Sequence, residues 1–160
     1  MRTFFATETS NRPMTCPSAS AGDAPEWRMG MEVDVLHEKL CYDVMGAAIE
    51  VHRELGTGLL ERAYHRCLCR ELDLRGIGYE SKVKVPLVYK GTDVGVCYEA
   101  DLVVEGLVVL ELKAIRTIEP SCVSQLMTYM GLLGAPVGYV LNFNAERLMT
   151  KGQGYVRRVR

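Results

Sequence analysis

The 160-residue chain is predicted to be an α/β protein of the α+β kind, with a mixed central sheet flanked by helices. The predicted order is helix, helix, three strands, helix, strand. Three observations carry this. Apolar residues recur at three- and four-residue steps from Met31 to about Gly76, the period of a helix face. Between Val83 and Ala114 the period drops to two, the signature of strands. Glycine and proline punctuate the chain where the period changes.

The first helix follows from Val35, Leu36, Leu40, Val44, Ala47, Ala48, Val51 and Leu55, which fall on one face. Gly56-Thr57-Gly58 ends it. A second helix follows at once, with Leu59, Leu60, Ala63, Tyr64, Cys67, Leu68 and Leu72 on its apolar face, and runs until Gly76. Val83, Val85, Leu87 and Tyr89 alternate with Lys82, Lys84 and Lys90, which predicts a half-buried strand. Lys90-Gly91-Thr92-Asp93 turns the chain into a second strand, Val94 to Val104. Glu105-Gly106 turns it again into a third, Leu107 to Ala114. Pro120 suits the first turn of a helix, whose apolar face is Cys122, Val123, Leu126, Met127 and Met130. Gly134-Ala135-Pro136 ends that helix, and Val137 to Phe143 reads as a buried strand followed by a short basic tail.

Residues 1–30 differ from the rest. They are rich in Ser, Thr, Pro, Ala and Gly and lack a hydrophobic period, so they are expected to be a flexible extension or the result of a mis-assigned start, with a single domain over 31–160. No apolar run is long enough for a secretory signal or a membrane span, so a cytoplasmic protein with no membrane partner is expected. Six cysteines, Cys16, Cys41, Cys67, Cys69, Cys97 and Cys122, form no CxxC pair and have no zinc-ligand spacing with histidine. They read as buried thiols of a reducing compartment. His37, His52 and His65 fall on helices without an evident partner and are assigned no chemistry.

The composition is that of an ordinary globular domain, 48% hydrophobic and 24% charged, with a formal charge of −1. This excludes a histone-like binder held by bulk positive charge. The charge is unevenly spread. Residues 1–30 hold three charges of each sign, and the tail after Asn144 carries five basic residues against Glu146. The middle of the chain is therefore acidic. Lys82, Lys84, Lys90 and the tail are the evident places for phosphate contacts.

The third strand carries the chemistry. Alternation puts Glu111 and Lys113 on one face, and Val108, Leu110 and Leu112 on the other. A short hairpin brings Asp101 of the preceding strand beside Glu111. Neighbouring carboxylates repel unless a proton or a cation lies between them. Two acids completed by water suit Mg²⁺ or Mn²⁺, which can polarise a phosphodiester and activate water. Lys113 would orient that water or offset charge in the transition state. The same residues also read as a plain ion-pair network at a strand edge.

Gly58-Leu59-Leu60-Glu61-Arg62-Ala63-Tyr64 matches the motif that names the GxxExxY protein family, which resembles a compact branch of the PD-(D/E)XK nuclease superfamily. The resemblance runs from about Leu36 to Asn144. It includes Tyr98-Glu99-Ala100-Asp101-Leu102-Val103-Val104, Glu111-Leu112-Lys113-Ala114, Gln125-Leu126-Met127-Thr128-Tyr129 and Leu141-Asn142-Phe143-Asn144. It implies a restriction-endonuclease-like core and Mg²⁺-dependent hydrolysis of nucleic-acid phosphodiesters. Asp101, Glu111 and Glu61 would be metal ligands and Lys113 the catalytic lysine. Gln125 resembles a glutamine bordering such sites, with Tyr129 one turn further along.

Each of these residues has a structural reading as well. An acid at Glu61 is favoured in a helix's first turn, with capping at Gly58. Tyr64 reads as a packing aromatic with a hydrogen-bonded hydroxyl. Glu99 departs from the related pattern, which often has a basic residue there. It either turns outward beyond the pocket or serves as an extra ligand. The alternative function is a non-enzymatic interaction or nucleic-acid-binding module that keeps the fold, with a homodimer or partner protein completing its groove.

Overall fold

The computed structural model describes residues 26–160, with side chains from His37 onward. Two helices, α1 (Glu26–Leu55) and α2 (Glu61–Arg75), lead into strands β1 (Tyr79–Tyr89), β2 (Thr92–Val104) and β3 (Val108–Lys113). Helix α3 (Pro120–Leu133), strand β4 (Val137–Asn142) and strand β5 (Tyr155–Val159) complete the chain. The five strands form one sheet in the order β1-β2-β3-β4-β5. Only the β3–β4 pair is parallel; the others are antiparallel. The predicted mixed sheet flanked by helices is therefore present.

Two expectations are corrected. The basic tail is a fifth strand, antiparallel to β4 from Val137↔Val159 to Leu141↔Tyr155. Its polar residues suit a sheet edge, where charged side chains block further pairing. Helix α1 begins at Glu26 rather than near Met31. Gly30 does not break it, since one glycine in a helix costs only about 1 kcal/mol. The expectation for residues 1–25, and for Cys16 among them, lies outside the described residues.

Helices cover both faces of the sheet, as a parallel crossover demands. On one face, α1 and α2 bury Val44, Ala47, Ala48, Leu68 and Leu72 against Leu102, Leu110, Leu112, Tyr139 and Leu141. On the other, α3 buries Leu126 and Met130 against Val103, Val109 and Val140. Full burial of a Leu or Val side chain is worth about 1.5–3 kcal/mol, so these two layers hold β3 and β4 rigidly in the middle. Close approach matters at Gly138 of β4, where a Cβ would fall 2.6 Å from Met130 Sδ and 2.8 Å from Leu126 Cδ1. The far half of the β1–β2 hairpin leaves the layers: Thr92–Glu99 are exposed. Tyr89, expected on a half-buried face, is exposed there too.

Candidate active site

The site lies where β2 parts from β3. The register of the β2–β3 pair runs Val104↔Val108, Val103↔Val109, Leu102↔Leu110 and stops. The next step would set Asp101 opposite Glu111, which is the adjacency expected from the hairpin. In place of a backbone rung, Asp101 Oδ2 accepts a hydrogen bond from the Leu112 amide at 2.8 Å. Both acids are buried, Asp101 at 5% exposure and Glu111 at 3%.

The same point is irregular on the other side of β2. The β1–β2 register pairs Ser81 with Leu102 and Val83 with Ala100, but the rung between them, Lys82 and Asp101, is absent. Lys82 has φ 54°, a left-handed backbone that side chains with a Cβ rarely adopt. Both strands change faces across this step. Leu102 packs with α1 and α2, whereas Val83 and Ala100 pack with α3. Lys82, expected on a solvated face, reaches Asp101 Oδ1 at 2.5 Å and Glu99 Oε1 at 3.8 Å.

Lys113 lies with Glu111, as alternation required, its Nζ 2.6 Å from Glu111 Oε1. Burial pushes the Glu111 carboxyl up from 4.5 to about 7, Asp101 pushes the same way, and Lys113 opposes both. Burial works to discharge Lys113 and Lys82, yet their carboxylate partners hold both ammonium groups above the ordinary 10.5. Glu111 Oε2 is buried without any hydrogen-bond partner. An orphaned carboxylate oxygen of this kind calls for a proton or a cation.

The Gly58–Glu61–Tyr64 segment has a mechanical logic. Gly58 turns at φ 92°, open to glycine at no steric cost. The N-cap is Leu60, extended and without a side-chain cap bond, so the capping expected at Gly58 does not occur. Tyr64 instead ties down the turn ahead of the helix. Fully buried, it donates from its hydroxyl to Gly56 O at 2.8 Å and accepts from the Leu59 amide at 3.2 Å. Its ring stacks on Phe143 with centroids 4.6 Å apart. The tyrosine is thus a strut that fixes the start of α2. Glu61, the first residue of that helix, is held in the field of the site. Burial raises its carboxyl above 4.5, Asp101 adds to the rise, and Lys113, Lys82 and His65 oppose it.

The remaining residues divide. Gln125 gives its amide to the Tyr129 hydroxyl at 2.6 Å, not to the carboxylates. Tyr129 is buried and meets Tyr98 edge-on at 5.9 Å. Glu99 stands half-exposed at the rim, facing Lys82. His65 does have partners: Nε2 lies 3.2 Å from the Asp101 carbonyl and 3.2 Å from Ser81 Oγ. His52 reaches Ala145 O at 2.9 Å. No sequence signal marked His65, because its partners come from strands 16 and 36 positions away. Of the described cysteines Cys41 and Cys122 are buried, whereas Cys97 is exposed against expectation.

As a metal centre the donor set fits a cation that keeps much of its water. Two buried carboxylates with one orphaned oxygen match Mg²⁺ chemistry, which uses one or two carboxylates plus water. Among the described residues no three His, Cys, Asp or Glu side chains form a preformed cage. Lys82 and Lys113 sit on the carboxylates instead. No helix among the described residues is long and apolar enough to cross a membrane.

A family model described as the PD-(D/E)XK nuclease superfamily matches residues 38–159, well over half of the chain. No curated protein and no solved structure matches it.

Proposed function

Because the chain belongs to the PD-(D/E)XK nuclease superfamily, we propose that it is a divalent-metal-dependent nuclease hydrolysing phosphodiester bonds of DNA or RNA. The observation that best supports this is Glu111 Oε2, buried and unpartnered beside Lys113, with Asp101 tied to the amide of the neighbouring Leu112. Members of the superfamily typically use divalent metals. In this reading Asp101, Glu111 and Glu61 hold Mg²⁺ or Mn²⁺. When bound, the ion supplies a Lewis acid to a phosphoryl oxygen and makes water more acidic.

The chain's own groups do the rest. The hydrogen bond from Leu112 N–H fixes the Asp101 carboxylate in place. Lys113 stays an ammonium, held so by Glu111, and orients the attacking water or balances charge gathering on the phosphate. By locking the turn before α2, Tyr64 would hold Glu61, the first residue of that helix, for this role. In this reading Gln125 and Tyr129, joined by a hydrogen bond, would border the pocket, as in a GxxExxY-type branch of the superfamily. A cytoplasmic location belongs to the same reading, supported by the unpaired state of the described cysteines.

Cleavage of mixed DNA and RNA substrates with Mg²⁺ or Mn²⁺ tests this, comparing wild type with Asp101→Ala and Lys113→Ala. Activity confined to the wild type supports it. Equal activity in all three proteins, or none on any substrate, overturns it.

A second reading is a nucleic-acid-binding or interaction module that keeps the fold without turnover, its groove completed by a second copy or a partner protein. It is favoured by the lysines already paired with both carboxylates and by the lack of a preformed cage among the described residues. Metal-linked stability separates the two, since an ion that binds only the native state raises Tm. No shift with Mg²⁺ or Mn²⁺ favours the module.

A further inference from the structure

Lys82 is a residue of this site that neither the Gly58–Tyr64 motif nor the Glu111-x-Lys113 pattern accounts for. Lys82 keeps half of its side chain exposed, yet it holds φ 54° and sets its ammonium against the buried Asp101 and the rim residue Glu99. Strain of this kind persists only where the surroundings impose it, and it gathers at functional sites.

The hydrogen bonding shows what Lys82 obstructs. Asp101 Oδ2 is committed to the Leu112 amide, so Oδ1 is the oxygen left to meet a cation, and Lys82 holds it at 2.5 Å. On Glu111 the arrangement is the reverse: Lys113 takes Oε1 and leaves Oε2 without a partner. A divalent ion approaching the pair would find one acid open and the other closed. Two cations cannot share one carboxylate oxygen at hydrogen-bond distance in a half-buried site without strong repulsion.

Resting on the metal-dependent reading above, we propose that Lys82 is a resident counter-ion that a divalent cation must displace from Asp101, and that Glu99 is the perch to which it moves. Lys82 and Glu99 together then set the cation affinity of the site. Glu99 is suited to this because it is half-exposed, lies 3.8 Å from the ammonium and can retain it without further rearrangement. An acid at this position is thereby explained: it serves the lysine, and its charge is screened from an approaching phosphate by that lysine.

The experiment is a calorimetric titration of the metal-free protein with Mn²⁺, without nucleic acid. Lys82→Gln removes the charge, and Lys82→Gly removes it while relaxing the left-handed backbone, so a folded variant is secured. Both bind Mn²⁺ about tenfold more tightly than wild type, whereas Lys82→Arg stays close to wild type. Lys151→Gln removes the same charge near β5, at the opposite edge of the sheet, and changes nothing. Glu99→Gln weakens binding about threefold in wild type, and this effect fades in the Lys82→Gln background, which a double-mutant cycle reads directly. Unchanged or weaker binding in both Lys82→Gln and Lys82→Gly overturns the displacement. An equal effect of Glu99→Gln in both backgrounds overturns the perch. If no variant binds Mn²⁺, the metal-dependent reading itself falls, and this proposal with it. Binding that ignores Lys82 overturns this proposal alone.

Discussion

Lys82 and Asp101 face each other at the step where β1 and β2 both change faces, and an ion pair stands there in place of a ladder rung. Asp101 thereby serves two neighbours: Lys82 through Oδ1 and the Leu112 amide through Oδ2. Replacing it by alanine leaves an amide without its acceptor inside the sheet and a lysine without its counter-charge. Asp101→Ala should cost about 3 kcal/mol in urea denaturation of the metal-free protein. Asp101→Asn, which still offers an oxygen to Leu112, should cost roughly half as much. An alanine variant as stable as wild type would show that the carboxylate is structurally idle.

Glu111 makes the metal-free protein sensitive to pH. Its carboxyl is raised from 4.5 to about 7, first by burial and then by Asp101. A carboxyl with a raised native pKa binds protons more tightly in the folded chain. Its contribution is full below the unfolded value and is lost as pH climbs through the folded one. Wild type in chelator should therefore lose stability between about pH 4.5 and 7 relative to Glu111→Gln, with a total on the order of 3 kcal/mol. Thermal melts at pH 5 and pH 8 check this. A difference between the two proteins that is the same at both pH values would refute it. Added Mg²⁺ should restore the wild type at pH 8 by occupying the ionised form.

The strut role of Tyr64 separates its ring from its hydroxyl. Tyr64→Phe keeps the stack on Phe143 and removes the two hydrogen bonds that tie the turn at Gly56 and Leu59. About 1–2 kcal/mol of stability should be lost. Any nuclease activity should fall further than that loss explains, since Glu61 is then less firmly placed. Tyr64→Ala, which empties a fully buried site, should cost about 3–5 kcal/mol. If Tyr64→Phe melts with the wild type, the hydroxyl bonds carry no weight.

Much of the site was readable from local rules because those rules act over short distances. The Glu105-Gly106 turn fixes the register of β2 on β3, and register fixes which side chains share a face. Glu111 and Lys113 follow from alternation along β3, and the turn brings Asp101 alongside, although the ladder itself stops one rung short. Lys82 follows from neither rule. Alternation with Val83 and Val85 assigns it to solvent, where it does remain half-exposed. Its ion pair with Asp101 accompanies a change of faces and a left-handed backbone that alternation does not foresee. The partners of His65 depend on the same long-range assembly. Strand β5 was hidden for a different reason. Tyr155, Val156 and Val159 are too few, and the intervening arginines too many, to show a period of two on an edge that is mostly exposed.

That overlooked edge also braces the site, through Gly154. Its amide donates to Thr150 O at 2.7 Å, and its carbonyl accepts from the Asn142 amide at 2.8 Å. Asn142 in turn accepts from the Ile115 amide through Oδ1 at 3.1 Å, just beyond Lys113. A Cβ on Gly154 would collide with the backbone carbonyls of Arg147 and Leu148, and backbone, unlike a flexible side chain, cannot step aside. Gly154→Ala should therefore cost about 3 kcal/mol or more. Gly152→Ala is the informative partner. That glycine sits at φ 83° with open space around it, so its loss is conformational only, about 1 kcal/mol. Chemical denaturation of the two variants side by side decides the matter. Equal losses would mean that the contact with the 147–148 backbone does not constrain this corner.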